Sequence, residues 1–98
     1  MTSQKIKIEE TDLDISNVSK LYKQITNLFE NKIKKITIDL ERVNYIDSEG
    51  LYVLYDLHAK AKNVGSELQL INISAIKKIL KTTGLSNKLN ILELSHSL

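Results

Sequence analysis

The stretch ITIDLERVNYIDSEGLYVL, residues Ile36–Leu54, contains a change from one hydrophobic periodicity to another. At its start, Lys35–Leu40 (KITIDL) alternates polar and apolar residues, which is typical of a strand with one buried face. At its end begins a run, Ser48–Asn63, in which apolar residues recur every three or four positions, as on one side of a helix. Gly65 follows, and glycine often ends helices because it adopts the left-handed backbone conformation without a steric penalty. The sequence therefore predicts a strand, a short connection and a helix, in this order.

The residues before this stretch predict one strand and one helix. Lys5–Glu9 (KIKIE) alternates isoleucine with charged residues, and a short strand with a charged outer side suits the edge of a sheet. Apolar residues at helical spacing then cover Ser16–Glu30. We expect the side chain of Ser16 or Asn17 to accept a hydrogen bond from a free N–H group of the first turn. This part of the chain has room for one strand before the helix.

The residues after Gly65 continue the alternation of strands and helices. Glu67–Ile73 (ELQLINI) predicts a strand, and Ser74 is the predicted N-cap of a third helix that stops at Gly84. Leu89–Leu94 predicts either a last short strand or a helical turn. Strands that alternate with helices require crossover connections. The predicted fold class is therefore α/β, a single domain over residues 1–98 with a mixed, mostly parallel sheet of about four strands.

The composition excludes several classes of function. The 98 residues are 42% hydrophobic, which is enough apolar material for one core. With no cysteine, the chain has neither disulfides nor thiolate metal ligands. A formal charge of +2 is too small to indicate nucleic-acid binding, and no apolar run approaches the ~20 residues of a membrane span. We expect a cytoplasmic protein without a cofactor, with no nucleic-acid partner and no direct membrane insertion.

The DSEG segment, Asp47–Gly50, opens the second predicted helix and is the candidate site. The first turn of a helix has free N–H groups and a partial positive charge, and Ser48 places a hydroxyl there. A phosphate on that hydroxyl would be favoured, because anions are stabilised at helix N-termini. Gly50 would let another group approach closely. The alternative is that Asp47 or Ser48 is an N-cap and nothing more.

Other polar and aromatic residues are interpreted as structural or solvated. His58 lies on the apolar side of its helix and is expected at the edge of the core. Asp39 and Glu41 flank a strand and are expected to be solvated. Tyr45 and Tyr55 are expected in the core or at its edge. The chain has neither a phosphate-binding glycine loop nor a motif for a catalytic triad, so we expect it not to be an enzyme.

Several short segments of the chain occur together in one known family. They are ITIDL (36–40), V-x-Y-I-D-S-x-G-L (43–51), A-K-x-x-G (61–65), ELQLINIS (67–74) and ILKTTGL (79–85). With this spacing, residues 36–89 resemble the STAS domain, the fold of bacterial anti-sigma factor antagonists. The segment Asp12–Asp14 is similar to the acidic loop before the first helix of that family. The resemblance implies that the helices pack mainly on one side of the sheet.

The resemblance also implies a phosphorylation switch. In the antagonist branch, the serine after the aspartate of D-S-x-G is phosphorylated by an anti-sigma factor that is also a serine kinase, and this serine corresponds to Ser48. The unphosphorylated form binds the kinase and frees the sigma factor, so the switch regulates transcription. Glu49 stands where many antagonists have a second serine. The implied partner-binding residues are Asp14, Asp47, Ser48, Glu49, Gly50 and Tyr52, with Tyr52 as an exposed aromatic anchor.

A second resemblance implies a different partner. The STAS component of bacterial phospholipid-transport ABC complexes is an interaction module that does not switch. A protein of this kind would bind an ABC ATPase subunit through the same end of the helix. Phosphorylation of Ser48 would indicate the switch, whereas stable co-purification with an ABC ATPase would indicate the transport module.

Overall fold

Six strands and three α-helices make up residues 2–92, the part of the chain that the computed structural model describes. The strands are β1 (Ser3–Lys7), β2 (Asp12–Leu13), β3 (Lys35–Asp39), β4 (Tyr45–Ile46), β5 (Glu67–Ile71) and β6 (Ile91–Leu92). The helices are α1 (Val18–Glu30), α2 (Ser48–Asn63) and α3 (Lys77–Thr82), with 3₁₀ turns at Ser74–Ile76 and Leu85–Asn87. The main sheet has the order β1-β3-β5-β6, and all its neighbouring strands are parallel. This four-stranded parallel sheet confirms the predicted α/β class.

The strand register places the apolar residues of the sheet on one face. Because β3 and β5 pair residue by residue, their apolar residues form one surface, and it consists of Ile36, Ile38, Leu68 and Leu70, all buried. Between them, Thr37 and Gln69 lie side by side on the other face and are only half-buried. The helices therefore cover one face of the sheet, as the resemblance implied, and within residues 2–92 the other face is uncovered.

Helices α1 and α2 supply the second layer of the core. The buried residues of α1 are Val18, Leu21, Ile25 and Phe29, and the buried apolar residues of α2 are Val53, Leu54, Leu57 and Ala61. Their spacing of three and four keeps them on one stripe. Burial of each large apolar side chain contributes about 1.5–3 kcal/mol to stability. The apolar side chains whose periodicity predicted these helices are thus the ones that pack the helices against the sheet.

The predicted and observed limits agree best for the central elements. Helix α2 spans Ser48–Asn63, as predicted, and Gly65 has a φ of 76° at its end. By contrast, β1 begins and ends two residues earlier than the predicted Lys5–Glu9, because its partner β3 ends at Asp39, opposite Lys7. The order of strands confirms that β1 is an edge strand.

Two parts of the prediction were wrong near the chain termini. A second strand, β2, precedes α1 and pairs with β4. Neither strand was predicted, because two residues are too few to show a periodicity. The third helix begins with a 3₁₀ turn, in which Ser74 makes no side-chain cap.

The last element is a strand, β6, rather than a helical turn. The last two residues predicted for it, Glu93 and Leu94, lie outside the described residues.

No helix within residues 2–92 has both the length and the apolar character needed to cross a lipid bilayer.

Candidate functional site

The short β2–β4 sheet brings together two segments that are far apart in the sequence. Leu13 of β2 pairs with Ile46 of β4, and the Leu13 carbonyl accepts a hydrogen bond from the Asp47 N–H at 3.2 Å. The loop after β2 therefore lies against the first turn of α2. This contact places the predicted site residues Asp14 and Ser48 at the same end of the molecule.

Asp47, and not Ser48, is the N-cap of α2. Its backbone is extended, and its Oδ1 atom accepts a hydrogen bond from the Gly50 N–H at 2.9 Å. Ser48 is the first helical residue and is exposed. Since Asp47 fills the capping role, the Ser48 hydroxyl takes no part in it, and within residues 2–92 this hydroxyl has no hydrogen-bond partner.

The second carboxylate oxygen of Asp47 connects the helix to the preceding loop. Its Oδ2 atom accepts a hydrogen bond from the Ile15 N–H at 3.2 Å. One side chain thus joins the first turn of α2 to the turn that precedes α1. The carboxylate fixes the position of this turn relative to Ser48.

Asp14 organises the turn before α1. Its Oδ1 atom accepts hydrogen bonds from the Ser16 N–H at 3.0 Å and from the Ser16 hydroxyl at 2.6 Å. Asn17 occupies the N-cap position of α1, but its Oδ1 atom accepts from the Asp14 N–H at 3.0 Å. The prediction that Ser16 or Asn17 bonds the first turn of α1 was therefore wrong, because both side chains bond within the loop.

Gly50 is buried where α2 crosses the β2–β4 sheet. A Cβ atom at this position would lie 2.6 Å from the Leu13 carbonyl oxygen and 2.6 Å from Ile46 Cγ1. The glycine therefore permits the close packing that holds the first turn of α2 in place. Glu49, its neighbour, is exposed and adds a carboxylate to that turn.

Three tyrosines are exposed at or near this end of the molecule. Tyr52 is 63% exposed and borders a shallow groove between α1 and α2 together with Glu49 and Tyr22. Tyr45 and Tyr55 are 55% and 42% exposed, so the prediction that they lie in the core or at its edge was wrong. Tyr45 lies outside because its neighbour Ile46 is the residue of β4 that enters the core.

The site is acidic. Its two segments, residues 12–17 and 47–50, contain Asp12, Asp14, Asp47 and Glu49 but no lysine or arginine. Asp12 and Glu49 are exposed, and the other two carboxylates are partly buried. A partner that contacts these two segments would meet a concentration of negative charge, whereas the adjoining groove at Glu49 and Tyr52 also contains Lys23.

Asp39 differs from its predicted solvated state, since it is only 4% exposed. Its Oδ1 atom accepts from the Glu41 N–H and from Asn72 Nδ2, both at 3.0 Å, and Lys5 Nζ lies 3.9 Å from Oδ2. Burial raises the pKa of Asp39, but these hydrogen bonds and the charges of Lys5 and Lys7 outweigh it, so the pKa is lowered overall. The sequence placed Asp39 at the end of a strand but could not show that Asn72 and Lys5 close over it.

His58 is half-buried, which confirms its predicted place at the edge of the core. Burial, with a smaller effect of the Lys62 charge, lowers the pKa of its imidazole. Within residues 2–92, no three histidine, aspartate or glutamate side chains converge in a way that could hold a metal ion.

Solved structures with a similar fold include two proteins described as anti-sigma factor antagonists. SpoIIAA, a Bacillus cell fate determinant, is similar in its unphosphorylated form with a TM-score of 0.78 at 18% identity, over 97% of this chain and 82% of SpoIIAA. Its phosphorylated form matches with a TM-score of 0.71 at 19% identity, over 96% of this chain and 84% of SpoIIAA. TM1081 of Thermotoga maritima, a proposed antagonist, has a crystal structure that matches with a TM-score of 0.75 at 23% identity, over 93% of this chain and 80% of TM1081.

The family assignment follows from the sequence itself. At these levels of identity, the structural matches establish a shared fold. The sequence profile of the STAS domain matches residues 8–97, which is nearly the whole chain. The chain therefore belongs to the STAS domain family.

Proposed function

We propose that this protein is an anti-sigma factor antagonist, a non-enzymatic switch that acts as a single domain in the cytoplasm. In this proposal it binds a serine-kinase anti-sigma factor when Ser48 is unphosphorylated, and phosphorylation of Ser48 releases the partner, which regulates transcription. The observation that carries the proposal is the exposed Ser48 at the first residue of α2, its hydroxyl left free because Asp47 caps the helix. The fold it shares with both forms of SpoIIAA supports the same reading.

The helix end favours a phosphate within the protein itself. Free N–H groups of the first turn and the helix dipole attract an anion at this position. Phosphorylation therefore does not require α2 to unfold. The phosphate instead changes the charge of the surface that the partner would contact.

At a partner interface, the same phosphate would be unfavourable. It adds a charge of about −1.5 to −2 to a surface that already contains Asp14, Asp47 and Glu49. Burial of this charge against a partner that accepts a neutral hydroxyl would weaken binding by a few kcal/mol, about 100-fold in affinity. This difference is large enough for a switch.

Intact-mass spectrometry tests the proposal. The purified protein is incubated with ATP and the serine-kinase anti-sigma factor encoded in the same genome. We expect one phosphate on the wild type and on Ser3→Ala, a control that removes an exposed hydroxyl elsewhere, and none on Ser48→Ala. Calorimetry should then show tight binding of the kinase by the unphosphorylated protein and much weaker binding by Ser48→Asp.

Two results would contradict the proposal. One is an unmodified Ser48 after incubation with every such kinase of the source genome. The other is equal affinity of Ser48→Ala and Ser48→Asp for the kinase. Stable co-purification with an ABC ATPase subunit, unaffected by both substitutions, would favour the phospholipid-transport module instead.

A further inference from the structure

We infer that the turn Asp14–Asn17, with Ile15 at its tip, is the second half of the partner-binding surface, and that Asp47 holds it beside Ser48. This inference rests on the proposed function and names the chemistry of the partner. The partner surface that fits is an apolar pocket bordered by lysine or arginine side chains. The kinase that phosphorylates Ser48 is the occupant to which we assign this surface.

Ile15 is an unusual residue for a solvent-exposed turn. It is 70% exposed, the highest value among the exposed large apolar side chains of residues 2–92. Isolated surface apolar residues are common and need no explanation, but this one lies on the loop that Asp47 connects to Ser48. An apolar side chain held at a candidate interface is suited to fill a pocket of the partner.

The turn that presents Ile15 is held in one conformation. Asp14 Oδ1 accepts from the Ser16 N–H and hydroxyl, Asn17 Oδ1 accepts from the Asp14 N–H, and the Asn17 N–H donates to the Asp14 carbonyl at 3.0 Å. Asn17 Nδ2 also donates to the Asp12 carbonyl at 2.7 Å. A side chain on a preorganised turn loses little conformational freedom when it binds, and such preorganisation favours affinity.

The charges around Ile15 determine which partner fits. The surface carries four carboxylates and no basic residue over residues 12–17 and 47–50. The uncovered face of the sheet has mixed charge, since Lys5 and Lys7 pair there with Asp39 and Glu41, and Glu67 lies beside Lys35 in the register of β3 and β5. A basic partner is therefore attracted to the Ser48 end more strongly than to the uncovered face. The charge of a phosphate on Ser48 would not by itself repel a basic partner. The phosphate would weaken binding because it would lose its hydration beside the apolar pocket of the partner that Ile15 fills.

Asp47→Asn separates the two bonds of the Asp47 carboxylate. The asparagine keeps one oxygen, which can still accept from the Gly50 N–H and cap α2. Its amide NH₂ group replaces the second oxygen and cannot accept from the Ile15 N–H. Asp47 is thus a positioning residue for Ile15, and this variant tests that role without removing the cap.

Amide hydrogen exchange of the isolated protein measures the first step of the inference. In Asp47→Asn, we expect the Ile15 amide to exchange at least about tenfold faster than in the wild type, whereas the amides of the α2 interior keep their protection. In Glu49→Gln, which leaves both Asp47 bonds intact, the Ile15 amide should exchange as in the wild type. An unchanged Ile15 amide in Asp47→Asn would overturn the positioning role.

Calorimetry with the kinase measures the second step. Ile15→Ser should weaken binding of the unphosphorylated protein by at least about tenfold, and Ile15→Leu should retain most of it. Val64→Ser is the matched control, because Val64 is 52% exposed at the opposite end of α2, and its affinity should equal that of the wild type.

The outcomes separate this inference from the proposed function. If Ser48 is phosphorylated but Ile15→Ser binds the kinase as the wild type does, the inference is wrong and the proposed function stands. If no kinase modifies Ser48, the proposed function fails, and the recognition role of Ile15 fails with it. A circular dichroism spectrum of Ile15→Ser that matches the wild type ensures that a loss of affinity reports on the surface.

Discussion

At the scale of single residues, the candidate site depends on a division of roles between neighbours. Asp47 uses both carboxylate oxygens for structure, one for the Gly50 N–H and one for the Ile15 N–H. Ser48 is therefore spared from capping, although serine is among the residues preferred at that position. A hydroxyl that is exposed at a helix start and not needed for its stability is free to be modified.

Asp39 makes the stability of the protein depend on pH. Its pKa is lowered on folding from the ordinary value of 3.8, since the hydrogen bonds and lysine charges outweigh burial. The stabilisation is therefore fully present above the unfolded pKa and is lost as the pH falls through the lower folded pKa. We expect the free energy of unfolding, measured with urea, to decrease below about pH 4.

Two substitutions assign this pH dependence to Asp39. Asp39→Ala leaves the Glu41 N–H and Asn72 Nδ2 without their acceptor and should destabilise the protein by about 1–3 kcal/mol at neutral pH. Asp39→Asn keeps one acceptor, should cost less, and should show a smaller loss of stability on acidification than the wild type. An acid dependence of Asp39→Asn as steep as that of the wild type would exclude Asp39 as its source.

At the scale of elements, the first turn of α2 depends on the absence of a side chain at Gly50. Alanine in place of glycine within a helix normally stabilises by about 1 kcal/mol. Here the added Cβ would meet a backbone carbonyl and Ile46 at 2.6 Å. We therefore expect Gly50→Ala to destabilise by about 1–3 kcal/mol in urea unfolding, with a sign opposite to that of the helix propensity.

Gly65 provides a contrast, because its constraint is conformational. A Cβ atom there would have no neighbour within 4 Å, but φ is 76°. Gly65→Ala should destabilise by about 1 kcal/mol, and Gly65→Asn should destabilise less, since asparagine tolerates the left-handed conformation. Equal effects of alanine and asparagine in thermal unfolding would contradict this explanation of how α2 ends.

The elements that the sequence predicted are those with enough residues to show a period. Helix α2 has 16 residues and β3 has five, and both were predicted within one residue of their limits. Strands β2 and β4 have two residues each, so only their pairing in space reveals them. The period of α2 was enough to place Asp47, Ser48 and Gly50 at the start of a helix. The position of Ile15 beside them depends on the pairing of β2 with β4, so the sequence could not show it.

At the scale of the whole molecule, charge is distributed unevenly over a chain with a formal net charge of only +2. The Ser48 end carries Asp12, Asp14, Asp47 and Glu49 without a basic residue in the same segments. The uncovered sheet face carries exposed lysines from β1 and β3, but Lys5 and Lys7 pair with Asp39 and Glu41, and Glu67 lies beside Lys35. A small net charge thus combines one acidic surface with a face of mixed charge, and the acidic surface attracts partners of positive charge.

This distribution predicts how the proposed kinase associates. Attraction between the acidic Ser48 end and a basic partner should speed association, and added salt should slow it through screening. We expect Glu49→Gln to lower the association rate and weaken its dependence on salt in stopped-flow measurements. The matched control is Glu30→Gln, which removes the same charge at the last residue of α1, about 18 Å along the helix from its start, and should leave both quantities nearly unchanged. Equal effects of the two substitutions would mean that the overall charge of the protein, and not the acidic surface at Ser48, governs the encounter.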